Sequence, residues 1–246
     1  GYGMALAFLN EGCQVVINGR SDKSVTKALN QLEKFKGKVV GVVGDVRLYD
    51  THLNMVTKAL EEFGSLDIWV NNAGIEQNHD LFYNHDPELT KSVLETNILG
   101  SAYGTQAAYK AMMEAGGGFI YNMEGLGSDG RKIAKQCYYG TSKRAVRYQS
   151  RSMALEVTGD QVKIGTLSPG MVATDLLKGG LVGTPKEIAQ AKKIFNILGD
   201  KVETVTPYLV KQMLLNTKHD ARIQWLTTPK IIRRFVQAPF VKRTIF

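Results

Sequence analysis

LDIWVNNAG, residues Leu66–Gly74, is the stretch on which the reading of this chain turns. Leu66–Val70 reads as a strand, and Asn71, Asn72, Ala73 and Gly74 follow it directly. A turn of small and polar residues at the carboxyl end of a buried strand is where an open α/β sheet holds its ligands.

Working outward, the same arrangement recurs. Val15–Asn18 is a β-branched run, and Ser21 stands as N-cap of a helix whose apolar positions Val25, Ala28, Leu29 and Leu32 fall at helical spacing. Lys38–Val43 is a strand closed by Asp45 and Val46, and a second amphipathic helix through Leu53, Val56, Leu60 and Phe63 stops at Gly64. Beyond Leu66–Val70 a long helical region runs to about Ala115, then come a strand at Phe119–Asn122, a helix from about Tyr138 to Val157, a strand at Val162–Leu167 closed by Ser168-Pro169-Gly170, and a last strand at Ile223–Leu226. Strands alternating with helices predict an α/β fold with a doubly wound parallel sheet, covered on both faces, in one domain spanning residues 1–246.

One strand is absent from this series. Gly1–Gly12, GYGMALAFLNEG, reads as a glycine turn opening a helix that Gly12 ends, and nothing precedes it. In the strand order 3-2-1-4-5-6 the first strand lies in the middle of the sheet. The expectation is a fragment with an exposed seam between two neighbouring strands, folding and holding a nucleotide poorly.

Composition narrows the function classes. At 246 residues, with 43% hydrophobic and 22% charged residues, the chain has the make-up of a soluble globular domain. No apolar run approaches the ~20 residues of a membrane span. Cys13 and Cys137 make no disulfide framework and suit a reducing compartment, and His52, His79, His85 and His219 have no metal-ligand spacing and read as surface or loop residues, so no metal is expected. The net charge of +8 is unevenly placed: residues 131–151 hold seven basic residues and no acid, as does the tail 228–246 with five. Arg144, Arg147 and Arg151 fall on one solvated helix face, and no nucleic-acid module accompanies the charge. The tail mixes its cations with Ile231, Ile232, Phe235, Phe240, Ile245 and Phe246, which allows either packing on the domain or contact with a membrane or an apolar partner.

The chemistry is carried by YYGTSK. Tyr139 and Lys143 stand at i and i+4 on a helix, so both project from one face. An ammonium beside a phenol favours the phenolate and lowers its pKa, which suits a tyrosine passing a proton to or from a carbonyl or alcohol oxygen. Alone this pair is weak; joined to the strand-end turns GR, DV, NNAG and SPG, and to LETNILG, the chain resembles the short-chain dehydrogenases/reductases along essentially its whole length. The resemblance implies a Rossmann-type fold, a nicotinamide cofactor and carbonyl chemistry.

Position by position, it implies Tyr139 as general acid in reduction, Lys143 lowering its pKa and holding the nicotinamide ribose, and Asn97 supporting a proton relay. Gly1 and Gly3 match the end of the phosphate-binding turn. Asp45, Val46, Asn72, Ala73 and Gly74 line the adenine and ribose side, while Pro169, Gly170, Val172 and Thr174 line the nicotinamide side, and Leu176, Leu177, Leu181 and Val182 offer an apolar wall. Arg20 and Ser21 stand where an NAD-binding site places an acid, so NADPH is the expected cofactor.

One departure matters. The usual serine pair closing the fifth strand is replaced by Glu124 and Gly125 in YNMEGLGSDG, and Ser128 is the nearest hydroxyl available to polarise a substrate oxygen. Glu124 reads as a binder of a substrate hydroxyl or as a solvated strand end. NMEGLGSDG, YGTSK and SPGMVATDLL together are similar to the chlorophyll(ide) b reductases, implying reduction of the C7 formyl group of a chlorin pigment in a chloroplast, at the thylakoid. The alternatives are a reductase of a ketoacyl, steroid or sugar carbonyl, in the cytoplasm, a non-catalytic NADP-binding scaffold, and a basic nucleic-acid binder. A homo-oligomer is expected from the resemblance.

Overall fold

The carboxyl ends of six parallel strands form the rim of the fold, and the elements below set that geometry. The computed structural model describes residues 1–77, 79–174 and 184–245. Helix α1 (Tyr2–Asn10) leads to β1 (Val15–Gly19), α2 (Asp22–Gln31), β2 (Val39–Val43), α3 (Tyr49–Phe63) and β3 (Ile68–Asn71). Then follow α4 (Pro87–Leu94), a π-helical turn at Glu95–Leu99, α5 (Gly100–Glu114), β4 (Gly118–Met123), α6 (Cys137–Glu156) and β5 (Val162–Ser168). Helices α7 (Pro185–Leu198) and α8 (Val202–Leu215), strand β6 (Arg222–Gln224) and helix α9 (Thr228–Gln237) complete the order. Local chemistry sets several boundaries: the Ser21 hydroxyl caps α2 by accepting from the Ser24 amide, Gly64 closes α3 in the left-handed conformation at φ 77°, and Asp86 with Pro87 starts α4. The single long helical region expected after β3 is instead irregular backbone, a short helix, a π turn and α5.

All strand pairs are parallel, and they form two sheets that part between β1 and β3, at the seam expected where a first strand is absent. β1 pairs with β2 in register Val15↔Val39, while β3, β4, β5 and β6 follow in that order. A cavity of about 830 Å³ separates them, lined on one side by Val15 and Ile17 and on the other by Ile68 and Val70. Helices bridge it: α3 packs on β1, β2 and α5, and α1 on β1 and α8. One face of the larger sheet buries Trp69, Ile120 and Ile164 under Met55, Ala108 and Met112; the other buries Tyr121 and Leu167 under Met4, Leu209 and Met213.

Three sequence expectations change here. His52 is buried, not superficial: its Nε2 lies 2.8 Å from the Val46 carbonyl, and desolvation lowers its pKa. Of the arginine face on α6, Arg147 turns inward to 3.6 Å from Glu124, while Arg144 and Arg151 remain exposed. The tail's charge is partly structural. Arg234 and Arg243 both reach Asp200, at 2.8 and 2.7 Å, and donate to the carbonyls of Leu198, Ile197 and Gly199 that end α7.

A buried polar network ties the larger sheet to its helices. The Asn71 amide group donates to the Ser101 carbonyl, the Thr105 hydroxyl and Asn122 Oδ1, and its Oδ1 accepts from the Trp69 indole at 2.7 Å. Asn122 in turn donates to Ser150 on α6. Position 104 must be glycine for this to fit, because a Cβ there would stand 2.1 Å from Asn71 Oδ1. Gly104→Ala is therefore expected to destabilise the fold by about 1–3 kcal/mol, read as a lower midpoint in a denaturant titration.

Candidate functional site

At the rim of the larger sheet, the amino-terminal half of α6 meets the turns that follow β3 and β4. Tyr139 and Lys143 lie one turn apart and both are buried. Lys143 Nζ donates to the Met123 carbonyl at 3.2 Å and sits 5.9 Å from the centre of the Tyr139 ring. Burial pushes the lysine down to about 8. Burial first, and the charge of Glu76 second, push the Tyr139 phenol well above its ordinary value. The acidified phenol expected from the i, i+4 pair is thus outweighed by desolvation, and Tyr139 is held as a protonated phenol.

Asn97 is brought to the pair from the π-helical turn between α4 and α5. Wide single turns of this kind often mark functional positions in helices. Asn97 Nδ2 donates to the Ile75 carbonyl and to Ser142 Oγ, its Oδ1 accepts from the Ile75 amide, and Ser142 donates to the Tyr139 carbonyl at 2.7 Å. The turn after NNAG is thereby fastened to α6. Gln77 adds to this by accepting from the Tyr139 amide, and Glu76, His79 and Gln136 hydrogen-bond one another beside it.

The departure at Glu124 takes an unexpected form. The carboxylate is 2% exposed, and Arg222 donates to it through Nε and through Nη2 at 2.7 Å, with Arg147 behind. It does not face solvent, and its charge is already paired within the fold. Ser128 Oγ donates to the same carboxylate at 3.2 Å, so its one proton is already engaged, and that contact is to Glu124 rather than to Tyr139. Gly125 adjoins the phenol instead: a Cβ at that position would lie 2.7 Å from Tyr139 Oη.

The remaining expected residues fall on two sides of this centre. Gly74 closes the β3 turn against it, where a Cβ would come 3.3 Å from Asn97 Oδ1 and 3.4 Å from Lys143 Nζ. A flat nicotinamide ring or amide edge fits such a side-chain-free approach, so the residues present suit a nicotinamide nucleotide. Asn72 and Ala73 border the cavity between the sheets together with Gly1, whose Cβ would lie 3.3 Å from Asn72 Nδ2. A Cβ at Gly3 would strike Val202, so its glycine also serves the contact of α1 with α8. Arg20 and Ser21 follow β1 on the exposed rim. Asp45 is held by Arg47 at 2.7 Å, which lowers its pKa, and Val46 is buried with its carbonyl on His52. Pro169 and Gly170 follow β5, Gly170 at φ 73°; Val172 bridges to Asp200, and the Thr174 amide donates to the Val172 carbonyl. Leu176, Leu177, Leu181 and Val182 lie outside the described residues. Sequence reasoning missed Glu76, Gln77, Gln136, Ser142 and Arg222. Their one signal was adjacency, since Glu76 and Gln77 follow NNAGI and Ser142 precedes Lys143.

The lysine makes a test of the site's electrostatics. Its folded pKa of about 8 lies below the ordinary 10.5, so between those values the unfolded chain binds more protons and stability rises with pH. Below about pH 8 the buried charge is a full burden. Lys143→Met is therefore expected to abolish turnover yet raise the melting temperature at pH 7, the gain shrinking as pH rises from about 8 to 10.

Comparison with known proteins agrees with this geometry. Residues 1–180 match the family model described as short chain dehydrogenase. The chain is 34% identical over 258 residues to "Probable chlorophyll(ide) b reductase NYC1, chloroplastic" of Oryza sativa subsp. japonica, covering 97% of this chain and 50% of that protein. It is 37% identical over 222 residues to "Chlorophyll(ide) b reductase NOL, chloroplastic" of the same organism, covering 85% and 62% respectively. The chain thus spans about half to three fifths of the length of these relatives. The crystal structure of a 3-ketoacyl-(acyl-carrier-protein) reductase from Brucella melitensis complexed with NADH superposes with a TM-score of 0.81 at 20% identity, over 94% of this chain and 93% of that one, a likeness of fold.

Proposed function

The chain belongs to the short-chain dehydrogenase family, and from that premise we propose that it is the catalytic part of an NADPH-dependent reductase of the C7 formyl group of chlorophyll(ide) b. The observation that carries the reading is the buried pair: a phenol held protonated, beside a lysine whose pKa lies near 8. A protonated Tyr139 is the acid that carbonyl reduction needs. NADPH, held by Arg20, the Gly74 turn and Lys143, would supply the hydride that reduces the aldehyde carbon and would leave as NADP+. Tyr139 Oη gives its proton to the carbonyl oxygen as the hydroxymethyl group forms, and Lys143 offsets the charge left on the phenolate. Asn97, fixed by Ile75 and Ser142, holds the polar path by which Tyr139 is reprotonated.

Support for the pigment comes from the two relatives whose names state that substrate, and from the sequence NMEGLGSDG that replaces the usual serine pair. Support for NADPH comes from Arg20 and Ser21 after β1, where no acid stands to accept from a ribose hydroxyl; Arg20 is matched to a 2′-phosphate. A chloroplast location, with peripheral contact at the thylakoid, and a homo-oligomer complete the proposal, the first following the relatives' names. Ser128 acts in this reading through Glu124, by keeping the Gly125 turn against Tyr139.

Incubating the protein with NADPH and chlorophyllide b and separating the pigments tests this reading. The hydroxymethyl product is expected, and Tyr139→Phe is expected to lower its rate by about 10²–10⁴-fold. Turnover of a ketoacyl or steroid carbonyl without turnover of the pigment would overturn the substrate. Arg20→Ala is expected to raise the KM for NADPH about 10–100-fold, the loss of one charge-assisted contact, with little change for NADH.

A further inference from the structure

Helix α9 presents an apolar stripe that nothing among the described residues covers. Ile232, Phe235 and Val236 stand at i, i+3 and i+4, and the chain continues past Pro239 into Phe240 and Val241. All five are exposed, Phe240 at 86% and Val236 at 66%. They are not simply unsettled at a loose end. Arg234 and Arg243 anchor the segment from its inner side through Asp200 and the last carbonyls of α7, so the orientation that turns the stripe outward is fixed. Lys230 is also held, over the Trp225 ring.

The charge around the stripe has one sign. Arg233 and Lys242 are exposed beside it, and no acid occurs from Ala221 to the last residue. Helix α7, packed against α9, adds exposed Lys186, Lys192 and Lys193, with Glu187 as the one acid in its sequence. A narrow apolar stripe on one convex helix, flanked by cations, is the pattern of a segment lying in the plane of a bilayer interface.

We propose that the outward face of α9, with Phe235 and Phe240 as its inserting side chains and Arg233 and Lys242 as its headgroup contacts, docks this protein on an anionic lipid surface. The occupant is set by charge complementarity. A second copy meeting the same face by two-fold symmetry would bring two acid-free basic surfaces together, which opposes pairing. The inference gives a site to the membrane contact within the functional reading, and it rests on that reading only for the membrane's identity.

Co-sedimentation of the purified chain with phosphatidylcholine vesicles, with and without phosphatidylglycerol, tests it without cofactor or pigment. Failure here leaves the reductase assay untouched, and failure of that assay leaves this result standing. Binding is expected to the anionic vesicles and to fall about ten-fold in high salt, as a surface-charge attraction is screened. Phe235→Ser with Phe240→Ser, and separately Arg233→Glu with Lys242→Glu, are each expected to lower the bound fraction about ten-fold. Tyr148→Ser with Leu155→Ser, which removes exposed apolar groups of α6, is expected to leave it unchanged. Equal binding to neutral and anionic vesicles, salt-insensitive binding, or α9 variants that bind like the parent would overturn the proposal. So would light scattering that shows a dimer broken by the phenylalanine substitutions, in a chain that ignores vesicles.

Discussion

The amide of Asn71 is where the sheet and the site become one object. It ends β3, the strand that leads into NNAG, and it satisfies donors and acceptors from β4 and α5, with Asn122 passing the link on to α6. Buried amides without partners cost free energy, so this network is stable only when all of its members are in register. That requirement brings α5 close enough to exclude a side chain at Gly104, and it holds α6 at the height where Tyr139 meets the rim. The position of Tyr139 is thus set by a polar lock as well as by apolar packing.

A second clamp acts on the other side of α6. The π turn rotates Asn97 inward, and its amide spans the turn after β3 and the Ser142 hydroxyl. Between the two clamps Tyr139 and Lys143 lose nearly all contact with water. The consequence is electrostatic: burial disfavours both charged forms, raising the phenol and lowering the ammonium. In the proposed reaction, proton transfer to the substrate is the event that creates the charge pair, and the pair attracts strongly in the dry site.

Glu124 shows how a strand end can be rebuilt. Arg222 on β6 and Arg147 on α6 enclose its carboxylate, and Ser128 closes the turn over it. This ion pair couples β4 to β6 across β5, and it places a glycine rather than a hydroxyl beside the phenol. The basic tail repeats the logic beside the segment after β5, where Asp200 collects Arg234, Arg243 and the Trp225 indole.

Local chemistry made much of this legible in the sequence. The alternation of strands and helices, the Ser21 cap, the Gly64 stop and the Tyr139–Lys143 spacing depend on neighbours within a few residues, and each stands in the structure at or within about two residues of its reading. The asparagine of LETNILG was singled out by resemblance, and the structure places it between the turn after β3 and Ser142 of α6. Other features depend on residues remote in sequence. Glu124 meets Arg222 across 98 positions, Asn71 meets Asn122 across 51, and His52 is buried because α3 turns it inward against Trp69. No periodicity reports those distances. The direction of the tyrosine's pKa belongs to the same class: spacing alone supplies a cation one turn away, whereas the tertiary fold decides how little water surrounds the pair. The sequence by itself determined the strands, their order and the Tyr139–Lys143 spacing, because these follow from local propensity and periodicity. The split between β1 and β3 was legible too, as the seam left where a first strand would lie. Only the tertiary structure decided the burial of Glu124 and the direction in which the Tyr139 pKa moves, because burial is a property of what packs around a residue.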